Sequence, residues 1–398
     1  MLSSMHSHYS ILPMRNALVQ FFGGVFGLAT GQSGGREGPG VHLGGAINSL
    51  LGQWLSLPNN SLRMLIACGT AGGIAAAFQT PLAGVVFAME VIIAEYSVVG
   101  FIPVMLAAVS ATAVSRNLSA DEWLFSLPPL ELNSLLELPY IMLLGFCCGT
   151  SVAAFVRIST FAAQFSATPV ALRFAVAGIL TGGLALLVPE ILGLGYDTLA
   201  LTIHGELALS VLLAIALCKL VATAVSCGVG MPLGLIGPNL LIGACIGGLA
   251  GAVGSLLLPG LTSDPVFYAV IGMGAAMGAV LNAPLAAVLA VIEMTQSLSI
   301  SMAAMLAIVT ATLTSTGLFR QRSAHRAMLG QLKRIVPQDP LNQLFHSTNV
   351  SSTMDTMHTQ TTEAVCVYDR SVNTGKQILH GVLTLESIEK YTLASMLT

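Results

Sequence analysis

Residues 69–90, GTAGGIAAAFQTPLAGVVFAME, and residues 272–293, GMGAAMGAVLNAPLAAVLAVIE, are one segment written twice. Aligned without gaps at an offset of 203, they share Gly69/Gly272, Ala76/Ala279, Pro81/Pro284, Leu82/Leu285, Ala83/Ala286, Val85/Val288 and Glu90/Glu293. Upstream, GREGPGVHLGGAI from Gly35 aligns with GLIGPNLLIGACI from Gly234 at an offset of 199. Gly35/Gly234, Gly38/Gly237, Pro39/Pro238, Gly44/Gly243 and Ile47/Ile246 coincide there. Gly and Ala recur by chance in membrane helices, but two motifs in the same order at nearly equal offsets imply a duplicated domain. Short apolar segments interrupted by Gly and Pro are the mark of transporter helices that stop inside the bilayer.

The wider composition agrees. Of 398 residues, 55% are apolar and only 8% are charged, against roughly 25% charged in a soluble domain. So few charges cannot cover a water-facing surface, which excludes a soluble enzyme. No basic surface exists to bind nucleic acid. The seven Cys form no CxxC pair and no His/Cys ligand spacing, so a disulfide framework and a metal site are not expected, and no cofactor is implied. HExxH, or a GxSxG serine with a suitable His, would mark an intramembrane hydrolase, and neither is evident. The expected class is an all-α polytopic membrane protein, with apolar stretches recurring from 17–31 to 300–319.

Twenty-two of the 33 charged residues lie in 1–330 and the rest in the last 68, so the tail is a separate, water-facing segment. Arg320, Arg322, Arg326, Lys333 and Arg334 follow the last apolar stretch, and the positive-inside rule puts the tail in the cytoplasm. Residues 1–16 lack the features of a signal peptide. The organisation read from this is a transmembrane domain over 1–335, with repeat halves at about 14–116 and 136–335, and a tail over 336–398. In the tail, 363–368 and 378–385 alternate enough for two strands, and 385–394 suits a short helix.

The GxxGP motifs carry the chemistry. Pro fits the first helical turn, where no backbone N–H is needed. The preceding glycines turn the chain tightly and leave amides uncovered. Those amides and the positive end of the dipole favour an anion. If the halves have opposite topology, two helix starts face each other near the midplane and hold a small anion without a full positive charge. A kink that allows close packing is the plainer reading. The candidate seat comprises Gly35, Arg36, Glu37, Gly38 and Pro39 with Gly234, Leu235, Ile236, Gly237 and Pro238. Glu37 stands out, because an acidic residue in an apolar, Gly-rich stretch is costly and signals function. It reads either as a tethered competitor for the anion or as a plain helix cap. Arg36 is expected to face water, His42 to make a polar packing contact, and Glu95 to lie at an interface.

At these residues the chain resembles the CLC family of chloride channels and chloride/proton antiporters. GREGP is matched at 35–39, GxFxP at 234–238 with Ile236 in place of Phe, and the helix-pair corners at 80–84 and 282–286 are also similar. The resemblance covers residues 14–335. It implies an inverted-repeat helical fold with short, broken helices, a homodimer in a lipid bilayer, and one pathway per subunit for chloride or a similar small anion. It also gives Glu37 the role of gate, a carboxylate that occupies the anion site and swings away when protonated or displaced. Three departures stand against the family pattern. The Ser-bearing GSGIP-like segment that precedes GREGP is not among the 34 residues before Gly35, so the first helices of the fold are expected to be missing. His325 holds the place of the Tyr that reaches the central anion, and reads as an anion donor or as an interfacial residue. Val91 holds the place of the second, inner Glu of the antiporters, so a proton-coupling position is lost. Glu90, paired with Glu293 in the repeat, is expected to be structural. The tail looks like half of a CBS module, or a small cytoplasmic cap. Passive or loosely proton-coupled anion transport is the expected function. A chloride/proton antiporter and a non-transporting remnant or scaffold are the alternatives.

Overall fold

The computed structural model describes residues 10–94, 96, 98–118, 130–257, 262–321, 323–331, 364–370 and 377–384. Glu95, Arg322, Lys333, Arg334 and the helix expected at 385–394 lie outside the described residues. The chain divides into two compact units, Met1–Val336 and Pro337–Thr398.

Among its described residues the elements of the first unit are helices joined by loops. Its helices are α1 (Met14–Ala29), α2 (Glu37–Trp54), α3 (Asn59–Phe78), α4 (Pro81–Phe87, prolonged by a π-turn over Ala88–Ile93) and α5 (Val98–Leu118). There follow α6 (Leu138–Ala163), α7 (Val170–Ala185), α8 (Tyr196–Ile203), α9 (Leu209–Gly228) and α10 (Ile236–Leu257). The last are α11 (Pro265–Leu281), α12 (Pro284–Thr295), α13 (Ser301–Leu313) and α14 (Ala324–Gln331). Among the described residues six helices are long and apolar enough to cross a membrane, while α4, α7, α11 and α12 are apolar but shorter. Side chains such as Ile102, Leu106 and Val109 on α5 point outward, a surface suited to lipid rather than water.

The duplication is visible element by element. Helices α1–α5 correspond in order to α9–α13. Gln79 and Asn282 end α3 and α11 in the left-handed region, with φ of 58° and 54°, and Pro81 and Pro284 open the next helix two residues on. Proline without its N–H suits that first turn. The helix crossings repeat too. A Cβ at Gly44 or Gly69 would collide with the other residue's carbonyl, and the same holds for Gly243 and Gly272. Only glycine lets α2 lie on α3, and α10 on α11, at this distance.

In the second unit, β1 (Ala364–Arg370) pairs antiparallel with β2 (Gln377–Thr384), Ala364 opposite Thr384 and Arg370 opposite Gln377. A register shift lies between Val367 and Tyr368. The strands run one or two residues off the sequence expectation, since alternation locates a strand better than its ends.

Candidate functional site

The two GxxGP loops meet. Gly35 N–H donates to Gly234 O at 2.9 Å, and Gly234 N–H returns to Gly35 O at 2.7 Å, a two-residue antiparallel bridge. This reciprocal bond is what opposite orientation of the two halves requires. It sets the starts of α2 and α10 side by side, each with first-turn amides that have no partner within the helix.

Glu37 is the first residue of α2 and only 2% exposed. Its carboxylate folds back between the helix starts. A Cβ on Gly35 would strike Oε2, one on Gly234 would come within 2.5 Å of Oε2, and one on Gly237 within 2.8 Å of Oε1. Three repeat-matched glycines therefore form the cradle that receives the carboxylate. Leu235, Ile236, Pro39 and Pro238 close it as buried residues, and Gly38 lies against the backbone of Gly234. Oε1 accepts a hydrogen bond from the Tyr196 hydroxyl at 2.6 Å, while Oε2 is buried with no partner. A buried acceptor left half satisfied is costly when charged.

Arg36 is exposed, as expected. One of its guanidinium nitrogens donates to Ala77 O at 3.2 Å, and the group lies 5.3 Å from the centre of the Tyr196 ring. Tyr196 opens α8 after Gly195, whose φ of 77° turns the loop. Lys219 on α9 anchors that loop: fully buried, its Nζ donates to Ile191 O at 3.0 Å and Gly193 O at 3.2 Å. Gly193 also exchanges backbone bonds with Gly31 and Gly34. The segment carrying Tyr196 is thus stitched to the segment carrying Glu37.

A scan of family models matches residues 1–316 to the voltage gated chloride channel family. The chain belongs to that family. Over 272 residues it is 34% identical to a putative chloride channel protein, ClcB-like, of Ralstonia nicotianae, covering 67% of this chain and 63% of the relative. Over 270 residues it is 33% identical to the H(+)/Cl(-) exchange transporter ClcA of Vibrio campbellii, covering 65% and 57%. The chain thus spans less than two thirds of these relatives' length. A crystal structure of a slow cyanobacterial Cl-/H+ antiporter superimposes with a TM-score of 0.75 at 24% identity, covering 83% of this chain and 80% of the other. A CLC-type fluoride/proton antiporter gives 0.68 at 23%, covering 77% and 76%. These likenesses establish the CLC fold, and with the apolar helices they make the chain a multi-pass membrane protein of a transporter and channel family.

Within this CLC chain the remaining sequence candidates fall as follows. His325 lies partly buried on α14, which packs on α6 and α11. Burial lowers its imidazole to about 4, and Nδ1 has no hydrogen-bond partner. It makes no hydrogen bond to residues 35–39 or 234–238. Val91 is half-buried in the π-turn after α4 and packs against the core. Glu90 beside it accepts from Leu285 N at 3.4 Å and Ala286 N at 3.0 Å, capping α12. Glu293 accepts from Leu82 N at 3.0 Å and Ala83 N at 2.8 Å, capping α4. The structural role expected for this pair is met by an exchange of caps. On α2, Nδ1 of His42 is buried without a hydrogen-bond partner. Ser33, in the GxSxG-like GQSGG, pairs its hydroxyl with Thr223 at 2.8 Å and not with a His.

Sequence reasoning missed Tyr196 and Lys219. Lys219 carried a usable signal, a lone charge inside the apolar stretch 207–228. Tyr196 carried none, because α8 is only eight residues long and outside every apolar run.

Proposed function

We propose that the chain moves chloride or a similar small monovalent anion across a membrane in exchange for protons, with Glu37 as gate. The observation that carries this is the Glu37 carboxylate lodged in the glycine cradle between the starts of α2 and α10. The same amides and dipoles suit a mobile anion, so carboxylate and anion compete for one seat. Protonation removes the competitor's charge, which links anion entry to a proton. Gly35, Arg36, Gly38, Pro39, Gly234, Leu235, Ile236, Gly237 and Pro238 line the seat, with His325 as a candidate inner donor. The exchanger name of the Vibrio relative supports coupling. Val91, which cannot carry a proton, favours the second reading of passive or loosely coupled conduction. The working form is a homodimer in the inner cell membrane, built on residues 1–335, with 336–398 as a cytoplasmic, half-CBS-like tail.

The test is anion flux into liposomes with a simultaneous proton readout. A chloride gradient drives uphill proton movement in the parent. Glu37→Gln mimics the neutral carboxyl, so it abolishes proton movement and most of the pH dependence of anion flux. A Glu37→Gln variant with the parent's pH profile reduces Glu37 to a helix cap.

A further inference from the structure

We infer that the Tyr196 hydroxyl is the positioning group that holds the Glu37 carboxylate in its seat and sets the pH at which it leaves. This rests on the gate reading above. The geometry has three parts. The hydroxyl donates to Oε1 at 2.6 Å, while Oε2 has no partner, so a single side-chain donor ties the carboxylate down. The Arg36 guanidinium lies over the Tyr196 ring at 5.3 Å and is itself tethered to Ala77 O, which braces the ring. Lys219 grips Ile191 O and Gly193 O from within α9 and fixes the loop that leads into α8. The phenol is therefore held in place before any gate movement, and only the carboxylate needs to swing.

Among the described residues, the other charged and titratable groups on the surrounding helices do not donate to the carboxylate. Cys227 on α9 makes no hydrogen bond to the carboxylate, whose Oε1 is met by the Tyr196 hydroxyl and whose Oε2 has no partner. Lys219 on α9 is spent on backbone carbonyls. Arg15 on α1, His42 on α2, Arg63 and Cys68 on α3 and Cys245 on α10 are not hydrogen-bond partners of the carboxylate. A donor to the charged form stabilises that form and lowers the pH at which the group protonates. Removing the donor acts in the opposite direction.

The experiment measures anion flux against pH, and against chloride concentration at fixed pH, for the parent, Tyr196→Phe, Glu37→Gln and the double variant. Phe keeps the ring beneath Arg36 and deletes only the hydroxyl. Losing one charge-assisted bond moves the flux midpoint up by about one pH unit and tightens apparent chloride affinity roughly tenfold, because the tethered competitor is weakened. In the Glu37→Gln background, Tyr196→Phe changes neither quantity. Replacing Tyr196 by 3-fluorotyrosine, a more acidic phenol and a stronger donor, moves the midpoint down. An unshifted midpoint in both Tyr196 variants overturns the inference and leaves the gate intact. An affinity change of equal size in the Glu37→Gln background overturns it too, because Tyr196 then acts on the anion directly. A Glu37→Gln variant that keeps the parent's pH profile fells the gate reading itself, and is thereby distinguishable.

Discussion

Glu37 and Glu137 are both almost wholly buried, at 2% and 3% exposure, yet their surroundings are opposite. Glu137 accepts from Ser134 N, Ser263 N, the Ser263 hydroxyl and the Tyr268 hydroxyl, so both its oxygens are satisfied. Glu37 has one donor and an orphan oxygen. A carboxylate with four donors is held more firmly than one with a single donor. The two should therefore part company when each is changed to Gln. Glu137→Gln loses acceptors for charge-assisted bonds and should cost at least about 2 kcal/mol. Glu37→Gln should stay within about 1 kcal/mol of the parent. Thermal unfolding in detergent reads both, and equal losses would contradict the distinction. Glu37 was legible in the sequence because a lone acid in GREGP is costly wherever it lies. Its partner Tyr196 was not legible, since a contact spanning 159 residues leaves no local pattern.

At the scale of elements, the matched corners 80–84 and 282–286 do more than start helices. Each of the two helices ends in a carboxylate that caps the beginning of the other: Glu90 caps α12, and Glu293 caps α4. The helices are too short for a full span and must place their ends among other protein groups. A reciprocal cap answers that need. The caps lie about 12 Å apart along α4, at 1.5 Å per residue. Glu90→Gln and Glu293→Gln should each cost about 1 kcal/mol, and the double variant close to their sum. A double variant no worse than either single one would mean that the two caps fail as a unit. The repeat alignment predicted the shared role of these residues, because matched acids in matched helices had to do matched work. It did not show that the caps are exchanged, which depends on the antiparallel approach of α4 and α12. The short α8 escaped the hydropathy reading for a related reason. Half-buried against α10 and α11, it needs no long apolar run of its own.

Across the whole molecule, a proton that reaches Glu37 must also have a way off on the other side. In the proposed seat two helix starts face the anion, and Glu37 is the one carboxylate among residues 35–39 and 234–238. Val91 neither binds nor releases a proton, and the neighbouring Glu90 is committed to the amides of Leu285 and Ala286. If the chain exchanges anions for protons as proposed, the protons must use water or a weaker relay on that side, and the proton-to-anion ratio should be low. Val91→Glu places a carboxylate one residue from Glu90, on a half-buried turn. The expected outcome is a higher proton-to-anion ratio, read from the pH dependence of the chloride reversal potential in liposomes. An unchanged ratio would show that protons do not pass by position 91. If the parent moves anions with no uphill protons and Val91→Glu confers them, conduction in the parent is passive, and a single absent carboxylate separates it from an exchanger.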